Sequence, residues 1–206
     1  MTDFFALLEE PRRPWLDPEA LKAKFLALAT EAHPDRVHNS TQSEKLGANE
    51  RYIRLNAAYS CLREPRDRLI HLLELERGTR PEDVQIIPPA IADLFTVVSR
   101  LCHETEAFLL ERARTSSPIL KVRLFENGMA LTDRLNKLLL DLSAKRNAVV
   151  VQIKDLNMAW ESAPPVGSPT RVNSLPCGRL EHACRELSYL NRWSQHIQEL
   201  ILQLSL

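Results

Sequence analysis

The sequence has little glycine and lacks long apolar runs. Only 5 of the 206 residues are glycine, and alternating β-branched stretches are scarce, while apolar residues recur at three- and four-residue steps. No run approaches the roughly 18 to 20 consecutive apolar residues that a membrane-spanning helix needs. The sequence therefore predicts an all-helical protein with no membrane span.

The chain also lacks an excess of charge of either sign. Lysine and arginine number 27, aspartate and glutamate number 27, and the formal net charge is zero. No global electrostatic field then draws the chain to nucleic acid or to anionic lipid. We expect neither of these as a partner.

Cysteine is sparse and unpaired in sequence. The four cysteines form no CxxC motif, and a chain with 44% hydrophobic residues can bury a core without disulfides. Their spacing to histidines fits no common zinc site, and no oxyanion-hole turn or orienting third residue accompanies them. We predict no metal, no cofactor and no enzymatic activity. The N-terminal residues contain neither a signal-peptide core nor a basic transit pattern, so we expect a cytoplasmic protein.

The first 80 residues carry explicit helix signals. A helix is expected to begin after Asp17 as the N-cap, with Pro18 at the first helical position. Pro34 should end it, because proline cannot donate the helical hydrogen bond and restricts the residue before it. A further helix over 43–62 should lie antiparallel to it, and another after Pro65 should end at Gly78.

The remainder of the chain predicts a helical bundle. Residues 77–89 interrupt the helical pattern with glycine, threonine and prolines, which indicates a domain boundary. Three amphipathic stretches follow, over 89–113, 118–159 and 178–204, and they would bury their apolar faces most simply against one another. We predict an N-terminal domain over 1–80 and a three-helix bundle over 88–206, with a mobile surface loop over 162–177.

Two motifs carry a resemblance to a known family. The helix that begins after Asp17 is followed by His33-Pro34-Asp35-Arg36, and the next helix contains LNAAYSCL at 55–62. These features resemble the J-domain, with its HPD loop and its I-N-x-A-Y-x-x-L third helix. The opening DFFALL at 3–8 is similar to the turn of helix that begins that domain.

The resemblance narrows to one branch of the family. Residues 62–78 resemble the L-R-x-P-x-x-R-x-x-x-L-L-x-L-x-x-G run of the HscB branch, which also appends a three-helix bundle of about this size. RELSYL at 185–190 resembles the start of the last helix of that bundle. The resemblance thus spans nearly the whole chain, densely as far as Gly78 and sparsely beyond it.

The resemblance implies a co-chaperone. Its J-domain would dock on a DnaK/HscA-type chaperone and stimulate ATP hydrolysis there. The bundle over 88–206 would be a client-binding or oligomerisation module and would deliver an iron–sulfur cluster scaffold protein. The chaperone-binding residues implied are His33, Pro34, Asp35, Arg36, Lys22 and Lys24. For the two lysines and Arg36, an ordinary solvated face is the alternative interpretation.

The client-binding face is implied at Ile91, Phe95 and Tyr189, for which plain bundle core is the alternative. Thr96, Ser99 and His103 fall where the family would place glutamates, so the charge that would steer a basic scaffold surface is largely absent. Two further functions stay open. One is a J-domain co-chaperone for a different client, and the other is a helical adaptor that stimulates no ATPase.

Overall fold

The computed structural model describes residues 2–33, 41–81 and 86–205, in which all regular secondary structure is helical. The predicted all-α class is confirmed. No helix in this part of the chain is both long and apolar enough to cross a bilayer.

The first four helices follow the signals in the sequence. They are α1 (Phe4–Leu7), α2 (Pro18–Glu31), α3 (Gln42–Arg63) and α4 (Pro65–Arg77). The Asp17 side chain accepts a hydrogen bond from the Ala20 N–H at 2.9 Å, as expected of an N-cap. Gly78 ends α4 in the left-handed region with φ 75°, and its N–H donates to the Glu74 carbonyl.

Helix α3 was predicted to begin at residue 43, and its N-cap was not predicted. Thr41 is its N-cap and forms a capping box with Glu44, in which each side chain binds the backbone N–H of the other. The loop predicted over 37–42 lies mostly outside the described residues. Its last residue, Gln42, is the first residue of α3.

Helices α1 to α4 share one apolar core. Helix α3 packs against α1, α2 and α4. The side chains that meet there are less than a tenth exposed, and removing such apolar surface from water is what holds short helices together. They include Phe5, Leu8, Leu21, Leu28, Leu55, Ala58, Leu62, Leu69, Leu72 and Leu73.

The later part of the chain contains three long helices and short connecting ones. After a 3-10 turn at Pro89–Ile91 come α5 (Ala92–Arg114), α6 (Pro118–Asp155), α7 (Asn157–Glu161), α8 (Arg171–Ser174) and α9 (Cys177–Ser205). The single helix expected over 118–159 is therefore interrupted at Leu156. The valine-rich segment at 147–153, which could have been a strand, lies within α6.

The structure divides into two compact units. Unit 1 comprises Met1–Asp83 and Val150–Cys184, and unit 2 comprises Val84–Val149 and Arg185–Leu206. Residues 150–184 thus pack with the N-terminal helices. The division into independently folding domains over 1–80 and 88–206 stays a prediction.

In unit 1, the side chain of Arg171 holds the segment over 162–177, which was expected to be a mobile loop. This side chain is 7% exposed, and its Nε and Nη2 donate to the two carboxylate oxygens of Glu76, both at 2.8 Å. Its Nη1 donates to the Pro164 carbonyl. A residue of α4 therefore anchors the proline-rich segment.

Candidate functional site

His33 lies just beyond the end of α2, where the sequence predicts the docking loop. Helix α2 ends at Glu31, and the backbone N–H of His33 donates to the Thr30 carbonyl at 3.5 Å. The half-buried imidazole meets the ring of Tyr52 edge-on, with centroids 5.4 Å apart. Pro34, Asp35 and Arg36 lie outside the described residues. The structure therefore places one member of the predicted motif, beside α3.

The helix pair behind His33 is held by an aromatic contact. Phe25 of α2 and Tyr59 of α3 stack with centroids 4.3 Å apart and planes 8° apart. Aromatic pairs contribute about 0.5 to 1.5 kcal/mol beyond the area they bury. The contact holds α2 against α3.

Lys22 and Lys24 have different surroundings. Lys22 is exposed on α2. The ammonium group of Lys24 donates to the Glu9 carbonyl at 2.8 Å and lies 2.9 Å from a carboxylate oxygen of Glu10. Lys24 therefore holds the connection between α1 and α2, a contact that helical periodicity does not reveal.

The outer face of α2 is more apolar than it is basic. Leu26 is 52% exposed, and Ala23 and Ala27 beside it are also exposed. Of the two lysines predicted to bind a chaperone, Lys22 is exposed on this face, whereas Lys24 binds Glu9 and Glu10. This face therefore presents one cation, Lys22, and an apolar centre at Leu26 to a partner.

The three residues predicted to bind a client are placed differently in unit 2. Ile91 is 1% exposed in the 3-10 turn, so it belongs to the core, as the alternative interpretation held. Phe95 on α5 is 41% exposed, and Tyr189 on α9 is half-buried. The structure thus leaves two of the three able to touch another molecule.

Trp193, which is 8% exposed, joins these two aromatic residues and is not among the residues predicted to bind a client. Its ring centroid lies 6.1 Å from that of Phe95 and 5.6 Å from that of Tyr189. The guanidinium of Arg192 lies over the Tyr189 ring at 5.4 Å. The spacing of four residues between Tyr189 and Trp193 places both on one face of α9 and could have revealed the cluster. We call Phe95, Tyr189, Trp193 and Arg192 the aromatic cluster.

Three of the cysteines, Cys61, Cys102 and Cys177, are thiols in environments that favour the protonated form. Burial raises the pKa of Cys61 to about 11, and its Sγ contacts the Asp67 carbonyl at 3.6 Å. Burial also raises the pKa of Cys102 and of Cys177, in the latter case despite the neighbouring Arg77. A thiol must lose its proton to act as a nucleophile or metal ligand, and these surroundings oppose that loss. Among the described residues, no cluster of three or more histidine, cysteine or acidic side chains is arranged to hold a metal ion.

Solved structures share this arrangement of helices over nearly the whole chain. Chaperone HscB from Vibrio cholerae is 19% identical, with a TM-score of 0.62, and the match covers 98% of this chain and 99% of that one. The chain has the fold of HscB. The human co-chaperone protein HscB is 20% identical, with a TM-score of 0.59, and the match covers 98% of this chain and 81% of that one. No protein-family model matches the sequence.

The match with either structure covers 98% of this chain, so it includes the helices of both compact units. The fold expected from the motifs at 33–36, 55–62 and 62–78 is therefore confirmed: a J-domain hairpin followed by a helical bundle. Only about one residue in five is identical, so the roles of individual side chains in this chain rest on their own surroundings.

Proposed function

We propose that this chain is a J-domain co-chaperone that docks through His33-Pro34-Asp35 on a DnaK/HscA-type chaperone and stimulates its ATPase. The observation that carries the proposal is the position of His33, the first residue of this tripeptide. It lies two residues beyond the last residue of α2, in a chain with the HscB fold. The Phe25–Tyr59 stack holds α2 against α3, and the Ala32 N–H donates to the Leu28 carbonyl at the end of α2; both support a defined exit from that helix.

In this proposal the chain supplies no catalytic group. The chaperone hydrolyses ATP, and the J-domain favours one of its conformations by binding that conformation more tightly than the other. A helix pair that is already rigid loses little conformational entropy on docking, so more of the contact energy remains for this preference.

Charge on α2 has a secondary role in the proposed docking. Lys22 and Arg36 would face the chaperone directly, whereas Lys24 holds the segment that follows α1, at Glu9 and Glu10, against α2. An exposed ion pair contributes roughly 0.2 to 1 kcal/mol, so the loss of Lys22 should weaken docking less than the loss of the HPD loop.

Steady-state ATPase measurement with the DnaK-type chaperones of the same host tests the proposal. We expect the wild-type chain to raise the hydrolysis rate several-fold and His33→Gln to abolish that increase. His182→Gln, the same change at an exposed position on α9, is the matched control and should behave like the wild type. Failure of the wild-type chain to stimulate any of them would leave the non-stimulating adaptor as the function.

For the client, we propose an iron–sulfur cluster scaffold protein bound at the aromatic cluster. Phe95 is exposed, and Trp193 packs against both Phe95 and Tyr189, so the three rings form one rigid apolar anchor with Arg192 at its edge. Buried aromatic and arginine side chains dominate the binding energy of most interfaces.

A binding titration against the purified scaffold protein tests this choice of client. Phe95→Ala and Tyr189→Ala should each weaken binding about tenfold, as is typical when an interface anchor is truncated. Val97→Ala is the control, because Val97 lies on the same helix and is 40% exposed. If the wild-type chain does not bind at tens of micromolar while it still stimulates the ATPase, a co-chaperone for another client replaces this proposal.

A further inference from the structure

Helix α4 of unit 1 borders a groove that the proposed function does not use. The groove has a volume of about 360 Å³ and lies between α4, the start of α1 and the end of α3. None of the residues that line it belongs to α2 or to the proposed docking loop. We call it the α4 groove, and its lining includes Phe4, Ser60, Ile70, His71, Glu74 and Arg80.

Glu74 brings a negative charge to the α4 groove. Its side chain is half-buried, and its carboxylate forms no hydrogen bond or ion pair with the residues that the structure describes. Asp67 also lines the groove, seven residues earlier on the same side of α4, and pairs with Arg66 at 2.9 Å. A partly desolvated carboxylate without a partner gains stability when a cation binds it. Glu74 therefore favours a cationic ligand.

Two titratable groups in the groove are neutral and do not compensate this charge. Burial lowers the pKa of His71 below its usual 6.5, although Asp3 and Glu74 oppose that shift, so the imidazole is uncharged at neutral pH. Burial, together with Asp67 and Glu74, raises the pKa of the Cys61 thiol to about 11. The charge inside the groove is therefore that of its carboxylates.

An aromatic ring lies in the same groove. The ring of Phe4 packs against that of His71, with centroids 4.5 Å apart and planes tilted by 31°. A guanidinium is planar, so it can stack on an aromatic face and also pair with a carboxylate through two parallel hydrogen bonds. Ile70 adds apolar surface for the methylene groups of a long side chain. Ring, apolar surface and carboxylate together match an arginine side chain better than a lysine side chain.

Two hydrogen-bond donors complete the lining. Ser60 and Arg80 are exposed, and their side chains form no hydrogen bond with the described residues. The hydroxyl and the guanidinium can each donate to a backbone carbonyl oxygen. A peptide supplies such carbonyls on both sides of an arginine. Arg80 also repels a second cation, so the groove suits a segment with a single arginine.

We propose that the α4 groove binds an arginine side chain of a partner polypeptide. The guanidinium lies on the Glu74 carboxylate and against the Phe4 ring, and Ser60 and Arg80 donate to the flanking peptide carbonyls. One side chain makes few contacts, so the dissociation constant of a short peptide should be on the order of 1 mM. This binding does not depend on the proposed co-chaperone activity, because none of its evidence comes from His33 or α2.

Nuclear magnetic resonance titration of the isotope-labelled full chain with acetyl-Gly-Arg-Gly-amide tests the proposal. The backbone amide signals of Ser60, Ile70 and Glu74 should shift and saturate with a dissociation constant of about 1 mM. The same peptide with citrulline in place of arginine has nearly the same shape but no charge. It should bind at least fivefold more weakly.

Variants of the groove test which groups hold the arginine. Glu74→Gln keeps the size of the side chain and removes its charge, so it should weaken binding of the arginine peptide at least fivefold. Glu50→Gln is the matched control, because Glu50 is exposed on α3 outside the groove, and it should bind like the wild type. Phe4→Leu removes the ring and should weaken binding at least twofold. Circular dichroism checks that each variant is folded.

Four results would contradict the proposal. The groove does not bind arginine if its amide signals show no saturable shift up to about 20 mM peptide, or if the citrulline peptide binds as tightly. A Glu74→Gln chain that binds like the wild type overturns the role of the carboxylate. Tighter binding of a lysine peptide than of the arginine peptide overturns the choice of a guanidinium.

Discussion

Arg171 and Glu76 form a buried ion pair with two hydrogen bonds between them, and neither side chain is more than 7% exposed. Hydrogen bonding to Glu76 raises the pKa of Arg171, so the guanidinium stays charged at neutral pH. Removing one partner leaves an uncompensated buried charge, which typically costs about 3 to 5 kcal/mol. We predict that Arg171→Met lowers the free energy of unfolding by about 3 kcal/mol, measured by urea denaturation.

The double variant Arg171→Met, Glu76→Leu distinguishes a buried charge from lost packing. Replacing both partners with apolar residues of similar volume is often neutral or stabilising. The double variant should therefore recover most of the stability that Arg171→Met alone loses. Glu76→Leu is the second single variant. If the double variant loses as much stability as the two single variants lose together, the side chains act independently of each other.

His71 is an acceptor in unit 1 and must stay neutral to remain one. Its Nε2 accepts a hydrogen bond from the backbone N–H of Phe4 at 3.1 Å, at the start of α1. Burial lowers the pKa of His71 below its usual 6.5, with Asp3 and Glu74 opposing that shift and Arg12 adding to it. The unfolded chain therefore binds the proton more readily than the folded chain just below pH 6.5. The stability from this group is present above pH 6.5 and falls as the pH falls below it.

Comparing the wild type with His71→Gln tests this pH dependence. The glutamine carbonyl can accept the Phe4 hydrogen bond, but glutamine does not titrate. Between pH 7.5 and 5.5, the urea midpoint of the wild type should fall more than that of His71→Gln. Parallel curves for the two proteins would show that His71 does not contribute to acid sensitivity.

Part of the fold could be predicted residue by residue. Asp17, Pro18 and Gly78 act through local backbone chemistry, and the structure places all three as their sequence context predicts. Lys24 and Ile91 were harder to read, because the role of each depends on a neighbour that helical periodicity does not identify. Lys24, which was predicted to bind a chaperone, binds the Glu9 carbonyl and the Glu10 carboxylate.

At the scale of elements, the capping box of α3 stabilises the first turn after the proposed docking loop. The Thr41 side chain accepts from the Glu44 N–H, and the Glu44 carboxylate accepts from the Thr41 N–H at 2.8 Å. Loss of an N-cap side chain costs about 1 kcal/mol. Thr41→Ala should lower the free energy of unfolding by that amount. Ser60→Ala, at an exposed site within the same helix, should change it by less than half as much, as urea denaturation would show.

The interruption between α6 and α7 has a tertiary cause. Neither glycine nor proline lies near Leu156, so the sequence contains no local break signal. Asn157 pairs with the backbone of Trp15, accepting from its N–H at 2.8 Å and donating to its carbonyl at 2.9 Å. This partner is 142 residues away in sequence. Periodicity therefore predicted the helix but not the interruption in it.

At the scale of the whole molecule, distant segments complete the N-terminal unit. Residues 150–184 belong to unit 1 together with α1 to α4. Asn157 binds Trp15, Arg171 binds Glu76, and Glu181 pairs with Arg77. The motifs at 33–36 and 62–78 are sufficient to indicate the J-domain fold. They contain no information on which later residues pack against it.

A fragment of residues 1–80 should therefore fold into helices yet be less stable than the same residues in the full chain. It retains the core around Leu55, Leu62 and Leu69 but loses the partners of Trp15 and Glu76. Hydrogen exchange of α4 amides should be at least tenfold faster in the fragment, which corresponds to about 1.4 kcal/mol of lost stability. Equal protection would show that 150–184 contributes no stability to these helices, and that 1–80 is an independent domain as the sequence predicts. If exchange is faster in α4 but unchanged in α2, the loss of stability is confined to α4, the helix that carries Glu76.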